Sequence, residues 1–120
     1  MVGPNILFID IETAPIIMAS WSMRPPYASA VWTERDTYIM SFAARWRGGK
    51  KTRTWALPDY PGYKRNKHCD KAICGTLNAM LDEADIVVAH NGDAFDIKKI
   101  NSRLAVNGYK PPSPFKTIDT

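Results

Sequence analysis

Asp10 and Glu12 close an apolar run, Ile6-Leu7-Phe8-Ile9-Asp10-Ile11-Glu12. Two carboxylates on the rim of so hydrophobic a segment cost free energy unless a cation neutralises them. A hard divalent cation held by oxygen ligands is the usual solution. A run this rich in Ile and Phe reads as a buried strand. Side chains alternate faces along a strand, so the two acids project from one side, about 7 Å apart. A second acid-bearing stretch, His90-Asn91-Gly92-Asp93-Ala94-Phe95-Asp96, leads from the short apolar run Ile86-Val87-Val88-Ala89 into a helical pattern. In open α/β sheets, ligands bind at that carboxyl edge of the strands. Phe95 would anchor the helix start, leaving Asp96 in the first turn to point back toward Asp10. Taken together, the two stretches read as metal-dependent phosphodiester chemistry. Each also has an ordinary explanation: strand-end acids can simply meet solvent, and Asn91, Asp93 and Asp96 are residue types that cap helices.

The elements that must position these acids follow from periodicity. The first strand covers roughly residues 5–12. Thr13 to Asp36 contains three prolines and the aromatics Trp21, Tyr27 and Trp32, and reads as a long irregular excursion. Tyr38, Met40, Phe42, Ala44 and Trp46 alternate onto one face of a half-buried strand. Gly48-Gly49 turns the chain, and Lys51 to Leu57 returns as a hairpin partner. A helix is expected over about 69–84, with Ile73, Leu77, Met80, Leu81 and Ala84 as its apolar stripe and Asp70 as a favourable first-turn charge. Ile86–Ala89 reads as a central parallel strand. A second helix runs from about Asp93 to Val106, with Ile97, Ile100 and Leu104 inward and Asn107-Gly108 as its stop. After Pro111, Pro112 and Pro114, residues Phe115 to Asp119 begin another strand. The pattern predicts one α/β domain over residues 1–120, a mixed sheet with helices packed on it.

Composition excludes several classes. With 45% apolar residues among 120, the chain is globular rather than disordered. No apolar run reaches the length of a membrane span, and no signal-peptide pattern precedes the first strand. Cys69 and Cys74 are five apart, a spacing that faces different ways on a helix, so they read as reduced intracellular thiols and the protein as cytoplasmic. The net charge is +4, and nine of the sixteen basic residues fall between Arg45 and Lys71. Arg45, Arg47, Lys50, Lys51 and Arg53 form its hairpin part. A basic patch beside a carboxylate site suits a polyanion. It equally suits a solvated face that keeps the protein soluble.

The two acid motifs together resemble a known family. Ile9-Asp10-Ile11-Glu12-Thr13 resembles the first motif of the DnaQ-like 3′→5′ exonucleases of the DEDD superfamily, which have a ribonuclease H-like fold. Asn91-x-x-x-Phe95-Asp96 is similar to their second motif. Lys116-Thr117-Ile118-Asp119-Thr120 resembles the strand that follows it in relatives near the proofreading domains of family-B polymerases. The resemblance implies two Mg²⁺ or Mn²⁺ ions held by Asp10, Glu12 and Asp96, which would clamp the attacking and leaving oxygens of an in-line displacement at a DNA 3′ end. It implies a terminal-nucleotide pocket near Thr13, His90, Asn91 and Phe95. Proofreading, repair, phage replication and nucleotide scavenging all use such machinery.

The family's third motif, Tyr-x-x-x-Asp or His-x-x-x-Asp, has no counterpart in these 120 residues. It supplies the fourth carboxylate and the general base, and losing a general base costs on the order of 10²–10⁴ in rate. Asp119 could be offered as a fourth ligand, though its ordinary role is to cap a following helix. The expectation is therefore an incomplete exonuclease domain, or one completed by another chain. In the absence of that segment, truncation at the C-terminal end should leave apolar surface open, which favours a homo-oligomer or a complementing partner. The competing expectation is a non-catalytic nucleic-acid-binding or assembly module of the same fold, using Arg45–Lys71 with the exposed aromatics Trp21, Trp32 and Trp55.

Overall fold

A computed structural model describes residues 3–19, 33–89 and 96–119. Ile6–Thr13 forms β1, whose Leu7, Ile9 and Ile11 are buried while Phe8, Asp10 and Glu12 are exposed. The strand therefore has one covered face and one open face. Two short strands, β2 (Ile17–Met18) and β3 (Thr33–Arg35), pair antiparallel as a separate ribbon. Part of the expected irregular excursion is thus ordered. Periodicity could not show it, because strands of two and three residues carry no period. Arg35 docks the ribbon on the main body: its Nη1 donates to His68 Nε2 at 2.9 Å, and its guanidinium lies over the Tyr38 ring.

β4 (Ile39–Trp46) and β5 (Arg53–Ala56) form the expected hairpin, with Gly48 at φ 83° in the turn. The sheet runs β5-β4-β1-β6-β7, where β6 is Ile86–Ala89 and β7 is Lys116–Asp119. β4 is antiparallel to β1, and β6 and β7 run parallel to it. Two helices, α1 (Lys71–Glu83) and α2 (Asp96–Val106), cover one face. Ile73, Leu77 and Leu81 of α1 and Ile100 and Leu104 of α2 join Leu7, Ile9, Phe42 and Val87 in one core. The expected α/β, ribonuclease H-like mixed sheet is the architecture observed.

Two local expectations change. The pairing of β1 with β4 shifts between Glu12 and Thr13: Glu12 faces Ser41, but Thr13 faces Ile39. Met40 is the extra residue at this bulge and is exposed, while Ile39 takes the buried position. A bulge reverses the phase of a period-two pattern, so strict alternation from Tyr38 misplaces the strand's first residues. Asp70 is the residue before α1 and makes no capping bond. It is 1% exposed and turned into the protein. There it accepts from Arg103 Nε at 2.8 Å and Nη2 at 3.0 Å, from the Ile39 N–H at 2.9 Å, and from Asn107 Nδ2 at 2.8 Å. The expectation is a favourable first-turn charge; a buried junction of both helices with β4 is found.

Candidate active site

The exposed side of β1 carries Asp10 and Glu12 at alternating positions, as the strand period requires. Asp10 stands opposite Ala43 and Glu12 opposite Ser41 on β4. These small neighbours leave both carboxylates open to solvent. The described ion pairs join Arg103 to Asp70 and to Asp36, and neither Asp10 nor Glu12 takes part in one. Both acids belong to the C-terminal half of β1, the edge toward which parallel β6 also runs.

Asp96 lies in the first turn of α2 and is 4% exposed. In chain order it opens the helix that follows β6. Among the described residues, however, no group of three or more His, Cys, Asp and Glu side chains is placed to hold a metal ion. The structure brings Asp10 and Glu12 onto one face and does not draw Asp96 into a three-acid cluster with them. Two hard oxygen donors on an open face fit an ion such as Mg²⁺, which keeps several waters and needs few protein ligands. Thr13 is half-buried beside them, at the register shift. His90, Asn91 and Phe95 fall outside the described residues. Asp119 pairs with buried Ala89, while Val88 pairs with both Phe8 and Ile118. Asp119 therefore occupies a register position on the face opposite Asp10, which argues against its use as a fourth ligand there.

The basic hairpin is divided. Arg45, Arg47, Lys50, Lys51 and Arg53 are all exposed. Arg45 shares the face of Phe8, its cross-strand partner, and donates from Nε at 3.1 Å and Nη2 at 2.9 Å to the Gly49 carbonyl. Arg53 pairs with buried Ala44 and so belongs to the other face. There its guanidinium lies 4.9 Å from the centre of the Trp55 ring, which itself stacks on Phe42 at 4.7 Å. Trp55 is thus half-buried between an arginine and the core, a correction to its expected role as an exposed stacking ring. Trp21 and Trp32 fall outside the described residues.

One residue of the open face escaped the sequence reading. Phe8 is 45% exposed in the middle of the sheet. With Asp10, Ala43, Arg45, Arg47 and Thr52 it lines a shallow cleft of about 530 Å³. A run of Ile, Leu and Phe looks buried on both sides, and nothing local tells which side stays uncovered.

The cysteines behave as expected of thiols. Cys69 and Cys74 are unpaired. Burial, reinforced by the charge of Asp70, pushes Cys74 up to about 12, which favours the neutral thiol at neutral pH. No described helix is long and apolar enough to cross a membrane.

No protein-family model matches the sequence, and no curated protein matches it. Among solved structures, the chain is similar to the family B DNA polymerase from the hyperthermophilic archaeon Pyrobaculum calidifontis, with a TM-score of 0.51 and 14% identity. The match covers 90% of this chain and 12% of the polymerase. At that identity the likeness concerns the fold.

Proposed function

We propose that this chain is a DNA-processing domain built for metal-dependent 3′→5′ exonuclease chemistry, with Asp10 and Glu12 as its principal metal ligands. The observation that carries the reading is the pair itself: two exposed carboxylates on one face of the central strand, at the carboxyl edge, with no ion-pair partner among the described residues. The fold around them resembles part of a DNA polymerase structure. Asp96 is proposed as the third ligand, brought in when cation and DNA bind together. A divalent cation would activate water and stabilise the leaving 3′ oxygen. The chain's own residues would orient the end of the strand: the Thr13 region by the bulge, and Arg45, Arg47, Lys50 and Lys51 by attracting phosphates. A single-stranded 3′ end is the proposed substrate, because a frayed strand can reach an open sheet face. A second copy of the chain or a complementing chain would supply whatever the three acids lack, and free thiols suit a reducing, cytoplasmic setting.

Incubating micromolar protein with Mn²⁺ and a 5′-labelled single-stranded oligonucleotide should produce a ladder of shortened products, and Asp10→Ala should abolish it. Calorimetric titration with Mn²⁺ should show binding to the wild type that Asp10→Ala loses. A wild type that binds no Mn²⁺ and shortens nothing would remove the proposal. A second reading, a non-catalytic nucleic-acid-binding module, is favoured by the absence of a three-acid group among the described residues. It requires salt-dependent DNA binding that added metal does not change.

A further inference from the structure

We infer that the open face of β1 and β4 is a seat for single-stranded nucleic acid, with Phe8 as a base-stacking platform beside Asp10. This deepens the nucleic-acid reading above and rests on it, but it concerns binding rather than hydrolysis. Three features of the cleft converge. Phe8 exposes nearly half its surface although it lies on the central strand. Such a ring presents a flat apolar surface of the kind on which bases stack. Its cross-strand neighbour is Arg45, whose guanidinium is already fixed by two bonds to Gly49. A pre-positioned cation loses little side-chain entropy when a phosphate arrives. Next along the face, Ala43 offers only a methyl group opposite Asp10, which keeps the cleft about 530 Å³ in volume.

The charge selects the occupant. Arg45 and Arg47 line the cleft, and Lys50 and Lys51 follow in the same turn region, on a chain of net charge +4. An aromatic ring flanked by cations fits a polyanion that carries flat bases, since every base has a face to stack. Asp10 follows Phe8 on the same face by one alternation, about 7 Å along the strand. A nucleotide stacked at Phe8 would therefore hold its neighbour over the carboxylate pair. A second copy of this chain could also cover Phe8, and the test separates the two.

The experiment is fluorescence anisotropy of a labelled oligothymidylate with the full chain in EDTA, so that hydrolysis contributes nothing. Circular dichroism confirms that each variant folds. Phe8→Ala and Phe8→Leu should each weaken binding about tenfold or more, the loss expected of one stacked base. Phe8→Tyr should retain wild-type affinity, and Arg47→Gln should weaken binding and flatten its salt dependence. Unchanged affinity in folded Phe8→Leu would overturn the inference, as would a wild type that does not bind. A dimer that Phe8→Glu dissociates while DNA affinity stays constant would assign the face to a second copy and likewise overturn it. Phe8-dependent binding without hydrolysis would defeat the exonuclease proposal alone.

Discussion

Asp70 is the side chain on which β4, α1 and α2 converge. Burial by itself would raise its pKa, but hydrogen bonds from Arg103, Ile39 and Asn107 and the Arg103 charge outweigh it and hold the carboxyl below its ordinary value. A group depressed in the folded state contributes stability above its unfolded pKa, about 3.9 for Asp, and loses it as pH falls through the folded value. Acid unfolding below about pH 4 should therefore depend on this residue. Asp70→Asn should flatten the acid limb of a stability-versus-pH curve, and an unchanged limb would show that other carboxylates dominate. Arg103→Met strands a buried charge and should cost about 3–5 kcal/mol in denaturant unfolding. The Asp10 and Glu12 pair was legible in sequence because alternation is a local rule. Asp70 was not, because Arg103 is thirty-three residues away and no local pattern links them.

Among the elements, α1 contains a glycine that propensity alone would replace. Gly→Ala in a helix interior ordinarily stabilises by about 1 kcal/mol. At Gly75, however, an added methyl would lie 2.7 Å from the Tyr109 hydroxyl. That hydroxyl donates to the Lys71 carbonyl at 2.7 Å and ties the chain after α2 to the start of α1. Displacing it forfeits a hydrogen bond of about 1 kcal/mol and moves the ring. Gly75→Ala should therefore destabilise, whereas in a Tyr109→Phe background the same change should become neutral or stabilising. A double-mutant cycle by urea unfolding checks this, and additive effects would sink it. The following connector is held in the same manner: Asp82 accepts from the Ser113 N–H at 2.7 Å and its hydroxyl at 2.8 Å. Strand and helix existence were readable from period; the β4 bulge and the β2–β3 ribbon were not, since both depend on partners.

At the scale of the molecule, both described helices pack on the same side of the sheet. Beyond the cleft at Phe8, Val88 and Ile118 align in register across β6 and β7 on the open face, with Ile118 49% exposed. Ile6 and Ile86 extend the strip. Parallel strands are ordinarily buried on both faces, so this side of β6 and β7 invites a second layer. Sedimentation velocity should show concentration-dependent association, and Ile118→Glu should shift the protein toward monomer without lowering its melting temperature. A wild type that remains monomeric at high concentration would show that the strip tolerates water.

The order of the five sheet strands and the two helices, the placing of Asp10 with Glu12 on one side of β1, and the basic hairpin were determined by sequence alone, because each rests on spacing along a few residues. Tertiary structure decided which side of the sheet stays open, and so turned Phe8 outward, sandwiched Trp55 and sent Asp70 inward. Those outcomes depend on which distant surfaces meet, and burial is a property of the assembled layers rather than of any segment within them.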